Sequence, residues 1–267
     1  MTKTTTRRTI DTARGAIAWL EAGAGWPLVL LHAFPLTAEM WRPQLDRVPD
    51  DWRFIAPELS SAVPASGARS IDDYARDVGA LIDALQIDIA VVGGLSMGGY
   101  ITFALFRQSP ALFSGMILAD TRPQADSPQA RDARAGMRAV LARDGVSAIA
   151  DQMIPRLLSG RVGQEQPDVV RHVRAMIESS APRAVDAALE AMMTRPDSTA
   201  DLARVSCATL VMVGQEDAVT PVSEADAMHR AIERSVLVTL PEAGHLSNLE
   251  RPEAFSRALV DFLAAHW

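Results

Sequence analysis

Apolar residues recur along this chain in two alternating patterns. Short continuous apolar runs, which mark strands buried on both faces, occur around residues 28–31, 89–93, 116–120 and 208–214. Between the second and its predecessors, Ile71, Tyr74, Val78, Leu81, Ile82 and Leu85 stand three and four apart, which gathers them on one helix face. Ser70 precedes that stretch, and Asp72 and Asp73 open it, so a capped helix start is expected there. Residues 97–106 read as a helix directly after a buried strand. Near the N-terminus, residues 8–12 and 16–21 flank Gly15 as hairpin arms, and residues 52–56 read as a strand stopped by Pro57.

This alternation predicts an α/β fold with a mostly parallel sheet covered by helices on both faces. It breaks after Asp120. Residues 130–143, 146–158, 168–178 and 183–194 carry only helical patterning, separated by Gly145, Gly160, Pro182 and Pro196. Strand signals resume at residues 208–214 and 235–240, with helices expected over 223–233 and 251–265. The expected organisation is an α/β core from residues 1–121 and 207–267, interrupted by a helical cap over 122–206.

Composition narrows the partners. The 267 residues are 48% hydrophobic and 22% charged with a net charge of -7, which disfavours nucleic acid and anionic membranes as partners. A single cysteine, Cys207, excludes a disulfide framework and a cysteine-built metal site. Residues 1–8 lack the apolar core of a secretory signal, and no apolar run reaches the roughly 18–20 residues of a membrane span. A cytoplasmic protein acting on a small molecule is expected. Neither an HExxH pattern nor an acidic cluster at metal spacing occurs, so no metal or organic cofactor is expected.

The candidate chemistry begins at Gly93-Gly94-Leu95-Ser96-Met97-Gly98-Gly99. Glycines at 93, 94, 98 and 99 offer no G-x-G-x-x-G set, and no lysine follows as a phosphate-binding loop requires. The match is to G-x-S-x-G between a strand and a helix, a sharp turn that lifts a serine hydroxyl above the sheet. The Met97 amide, at the helix N-terminus, is placed to donate to a developing oxyanion. A serine nucleophile needs a base. Of the five histidines, His172 and His229 fall in helical patterns, His266 adjoins the C-terminus and His32 ends an early strand. His245 follows the last strand, on the sheet edge where the Ser96 turn emerges. The base in turn needs a carboxylate. Asp217, in the loop after the strand ending at Gly214, is the first candidate. Asp120, which also ends a strand, and Glu216, adjacent to Asp217, compete with it.

With these motifs in the order Ser96, Asp217, His245, the sequence resembles the α/β-hydrolase superfamily over nearly its whole length. The order differs from those of the chymotrypsin-like and subtilisin-like proteases. His32-Ala33-Phe34-Pro35 resembles the family's H-G-x-P loop. The resemblance implies that the Phe34 amide completes an oxyanion hole with Met97, that His32 is structural, and that Ala33 stands where a glycine is usual. Residues 214–221 resemble the acid loop G-x-x-D-x-x-x-P, and residues 244–252 the histidine loop. Residues 32–36 with Met40-Trp41, and Asp120-Thr121-Arg122, are similar to a branch of small esterases. That branch includes 3-oxoadipate enol-lactonases, aryl esterases and cofactor-free haloperoxidase-type perhydrolases. Glu58-Leu59-Ser60-Ser61-Ala62 departs from the family's D-x-R-G. An aspartate at position 96 would imply a dehalogenase or epoxide hydrolase; serine does not. The implied activity is cleavage of small esters or lactones through an acyl-enzyme on Ser96. Acyl transfer or perhydrolysis through the same intermediate, or a slow ligand sensor, are the alternatives. Met153, Met176, Met192 and Met193 of the expected cap read either as helical core or as an adaptable pocket lining.

Overall fold

The computed structural model describes residues 4–59 and 69–267. The expected hairpin is present as β1 (Thr6–Thr12) paired antiparallel with β2 (Gly15–Gly23). β3 (Trp26–Leu31), a one-turn α1 (Arg42–Leu45), β4 (Trp52–Pro57), α2 (Ile71–Ala84), β5 (Ala90–Leu95), α3 (Met97–Gln108) and β6 (Phe113–Ala119) follow. Five helices then intervene: α4 (Pro128–Asp144), α5 (Val146–Leu157), α6 (Gly160–Glu165), α7 (Pro167–Glu178) and α8 (Pro182–Met193). The chain returns to the sheet with β7 (Ala208–Gly214), α9 (Val222–Ala231) and β8 (Ser235–Leu240), and closes with a one-turn α10 (Ser247–Glu250) and α11 (Pro252–His266).

The eight strands form one sheet in the order β1-β2-β4-β3-β5-β6-β7-β8. β2 runs antiparallel to β4, and every pairing from β4 to β8 is parallel. The strands β3, β5, β6 and β7 are buried on both faces because their residues alternate between two cores. Val29, Leu31, Val92, Met116, Leu118, Val211 and Val213 face one; Leu28, Leu30, Val91, Ile117, Leu210 and Met212 face the other. Continuous apolar runs are therefore what such strands require.

The order also sets where a ligand can bind. From β3 the chain moves to β4 on one side, and from β5 to β6 on the other. The crevice at the carboxyl ends of β3 and β5 is this topological switch point. Ser96 leaves β5 there, beside residues 32–34 leaving β3.

Local rules explain the flanking elements. Ser70 caps α2 as expected: its Oγ accepts the Asp73 amide at 3.1 Å, and the Asp73 carboxylate accepts the Ser70 amide at 3.0 Å. One helix departs from expectation. Gly160, read from sequence as a break, is the first residue of α6, because the Ser159 hydroxyl accepts the Val162 amide and restarts the helix. The helical segment between β6 and β7 is closed at its base by ion pairs. The buried Arg195 guanidinium holds Asp126 at 2.6 Å, donates to the Gln124 carbonyl and stacks on the Tyr100 ring at 4.1 Å. Arg134 holds the other Asp126 oxygen at 2.6 Å. Among the described residues no helix is long and apolar enough to cross a membrane.

Candidate active site

Ser96 sits between β5 and α3 with φ 56° and ψ -113°, a left-handed backbone that a non-glycine residue adopts only under constraint. The flanking glycines supply that constraint. A Cβ on Gly94 would lie 2.4 Å from the Gly98 carbonyl carbon, and one on Gly98 would lie 2.2 Å from the Leu31 carbonyl oxygen. Glycine at both positions lets β5, α3 and β3 meet closely. The amides of Gly99 and Tyr100 return to the Ser96 carbonyl at 2.9 and 3.3 Å.

The structure brings three of the sequence-predicted side chains together. His245 Nε2 lies 2.9 Å from Ser96 Oγ, and His245 Nδ1 lies 2.8 Å from Asp217 Oδ2. All three are buried, His245 and Asp217 almost completely. With Nδ1 donating to the carboxylate, Nε2 is left as an acceptor facing the serine hydroxyl. Asp217 is itself held by the Val219 and Thr220 amides at 2.7 and 2.9 Å and by the Thr220 hydroxyl at 2.7 Å.

The competing acids separate by their partners. Glu216 is exposed. Asp120 is fully buried, and its oxygens take the Gly214 amide at 2.8 Å and the Ser247 hydroxyl at 2.5 Å, with no bond to His245. Burial, reinforced by the charge of Asp217, drives the Asp120 carboxyl well above the usual range, against the hydrogen bonds from Ser247 and Gly214. Burial also pushes Asp217 upward, but the charge and hydrogen bond of His245, with the Thr220 donors, outweigh it and hold Asp217 below the usual value. Two nearby carboxyls in a dry site cannot both ionise easily. Here the donors favour the charge on Asp217, while Asp120 braces β7 against the histidine loop.

Three supporting residues were not singled out in the sequence. Thr220 tethers Asp217 in a turn that an Asp followed by Thr at the third position can form. Glu250, 1% exposed, accepts the Gly244 amide at 3.0 Å and the Leu246 amide at 3.3 Å on one oxygen, and the Ser159 amide at 2.9 Å on the other. It thus grips the loop on both sides of His245 and ties it to α6. Ser247 binds the loop to Asp120. Glu250 and Ser247 follow His245 directly in chain, but only a buried setting distinguishes them from ordinary polar loop residues.

The loop after β3 stands beside the serine. Leu59 N–H donates to His32 Nε2 at 3.0 Å, which leaves the ring proton on Nδ1, 3.0 Å from the Ala33 carbonyl. His32 is fully engaged in holding this loop. The Ala33 methyl is absorbed by the core and its amide meets Met40 Sδ at 3.2 Å. Glu58 is buried; one of its oxygens accepts the Ala38 amide at 3.2 Å and the other stands 3.2 Å from the His32 ring. Ser60, Ser61 and Ala62 of the departing loop lie outside the described residues. A narrow cavity of about 30 Å³ opens beside Phe34 and Met97, with α8 along one wall. The methionines of the helical segment do not line it: Met176 and Met192 are core, and Met153 packs against both cores. Of the other histidines, His172 and His266 are exposed and His229 bonds Ser235. Cys207 is half-buried at the start of β7, with its thiol pKa raised by burial. Among the described residues no group of three or more His, Cys, Asp or Glu side chains converges as a metal site would.

A parallel sheet with its switch point between β3 and β5, and a strained serine turn at that point, defines the architecture of a hydrolase of the α/β class. The chain belongs to the alpha/beta hydrolase family, whose model matches residues 28–258. It is 29% identical over 236 residues to 3-oxoadipate enol-lactonase 2 of Acinetobacter baylyi, covering 87% of this chain and 86% of that protein. Among solved structures, a thermophilic esterase from Thermogutta terrifontis, with malate bound, is 38% identical and superposes with a TM-score of 0.91, covering 98% of this chain and 99% of that one. The enol-lactonase from Burkholderia xenovorans LB400, 24% identical with a TM-score of 0.88 and covering 96% of this chain and 100% of that one, shares the fold.

Proposed function

We propose that the protein is a serine hydrolase that cleaves small carboxylic esters or lactones through an acyl-enzyme on Ser96. The observation that carries this reading is the hydrogen-bonded chain from Ser96 Oγ through His245 to Asp217, at 2.9 and 2.8 Å. In the first step Ser96 Oγ attacks the carbonyl carbon while its proton passes to His245 Nε2. Asp217, ionised and anchored by Thr220, stabilises the imidazolium that results. The carbonyl oxygen becomes an oxyanion and takes the amides of Met97 and Phe34, each such donor contributing about 10²–10³ in rate. The C–O bond to the leaving group then breaks as His245 returns its proton to the departing alkoxide. Water, deprotonated by the same nitrogen, attacks the acyl carbon and restores Ser96. In this reading residues 122–206 form a cap over a core of residues 1–121 and 207–267, with α8 closing the cavity from above.

Esterase and enol-lactonase relatives support the ester and lactone class. The test is a panel of p-nitrophenyl esters and simple lactones. Turnover at about 1 s⁻¹ or faster on at least one of them is the expected result. No hydrolysis of any member would sink the enzymatic reading and favour a ligand-binding role on this fold.

A further inference from the structure

The cavity beside Phe34 and Met97 lies on one side of Ser96, and that side has chemical meaning. In ester cleavage the leaving oxygen must reach His245 Nε2 for its proton, so the alcohol part of the substrate lies toward the histidine loop. The carbonyl oxygen faces the Phe34 and Met97 amides. None of the residues lining the cavity belongs to the loops that carry Asp217 or His245. Its walls are instead the β3 loop, Leu59, Met97 and the first turns of α8. The group that enters it is the one attached to the carbonyl carbon on the side away from His245, which is the acyl chain.

The walls also state what kind of acyl chain fits. Phe34, Leu59, Met97, Ala184, Val185 and Ala188 present apolar surface. The polar groups on the lining are neutral or already engaged. Both His32 nitrogens are hydrogen-bonded to the backbone. Burial pushes the Tyr74 hydroxyl up to about 12, so it keeps its proton. Ser180 offers a hydroxyl. Arg69 stacks on the Tyr74 ring at 4.0 Å, is paired with Asp77 and is not part of the lining. Residues 60–68, outside the described residues, include no charged side chain in their sequence. A carboxylate placed here would lose its water with no lysine or arginine on the lining to replace it, a heavy penalty, whereas an alkyl or aryl group gains by burial. Ala184 and Ala188 stand one helical turn apart on α8, so their small size sets how much room the chain has.

We propose that this cavity is the acyl subsite, that it selects an uncharged apolar acyl group over one ending in a carboxylate, and that Ala184 and Ala188 set the accepted length. The proposal rests on the serine-hydrolase reading above. Its test measures kcat/KM for p-nitrophenyl acetate, valerate and hexanoate and for the mono-p-nitrophenyl ester of succinic acid, which matches valerate in length but ends in a carboxylate. The wild-type protein is expected to prefer valerate over the succinate ester by about a hundredfold or more. Ala188→Leu is expected to lower the hexanoate-to-acetate ratio by about tenfold, and Ala188→Gly to raise it. Because each ratio is read on one preparation, loss of folded protein cancels. Equal rates on valerate and the succinate ester, or ratios that neither substitution moves, would overturn the proposal while hydrolysis itself stands. Absence of hydrolysis on every ester would instead overturn the reading on which it rests.

Discussion

Replacing Ser96 with alanine is expected to lower kcat for ester hydrolysis by about 10⁶-fold, the loss seen when the nucleophile of such a catalytic unit is removed. The size follows from the geometry. Ser96 Oγ is the hydrogen-bond partner of His245 Nε2 among the described residues, at 2.9 Å, and without it no covalent intermediate forms. The residual rate would reflect only water placed against the Phe34 and Met97 amides. The substitution removes one oxygen and leaves the turn's backbone bonds, Gly99 and Tyr100 to the Ser96 carbonyl, in place. The thermal midpoint should move by no more than a few degrees, and circular dichroism with steady-state kinetics on the same sample checks both parts.

Asp217→Asn is expected to cost about 10⁴-fold in kcat, because an amide favours the wrong tautomer of the base and carries no charge to stabilise the imidazolium. Asp120→Asn is expected to cost less than about tenfold. Burial drives its carboxyl pKa upward and it makes no bond to His245, and an amide can accept the Gly214 amide and donate to Ser247 in the same positions. Reversal of these two outcomes would transfer the acid role to Asp120. The pair also separates in stability. A carboxyl whose folded pKa is raised keeps a proton that the unfolded chain has lost, so its contribution falls as pH rises from the ordinary carboxylate range toward the raised value. Asp120→Asn removes that fall. Urea unfolding at pH 4 and pH 8 should show the variant gaining relative to wild type at the higher pH. Asp217 has the opposite sign: its lowered pKa contributes stability above the ordinary carboxylate range, lost as pH falls through the folded value.

Much of this arrangement was legible before the structure. Buried parallel strands need apolar residues on both faces, so β3, β5 and β7 announced themselves as continuous runs, and the carboxyl ends of β5, β7 and β8 placed Ser96, Asp217 and His245 on one edge. The nucleotide spacings failed because the glycines around Ser96 serve close packing against Leu31 and against each other. Other features depend on contacts between distant segments, which local pattern does not encode. Glu250 reads as a surface glutamate until it is seen with Gly244, Leu246 and Ser159 on its two oxygens. Sequence put Asp217 first and left Asp120 as its rival, since both follow strands; in the structure Asp217 is the one that meets the Nδ1 of His245. Helix α6 was hidden because Gly160 is a weak helix former that Ser159 nonetheless caps. The pocket lining was unreadable because alanines on α8, rather than the more conspicuous methionines, form its wall.

The central claim is that Ser96 is the nucleophile, and covalent labelling tests it most directly. The protein would be incubated with a fluorophosphonate, weighed intact and digested for peptide mapping. One adduct per chain on the peptide containing Ser96, formed in step with the loss of esterase activity and absent from Ser96→Ala, is the predicted result. An adduct on another residue, or ester hydrolysis that persists in a protein left unlabelled at Ser96, would contradict the account.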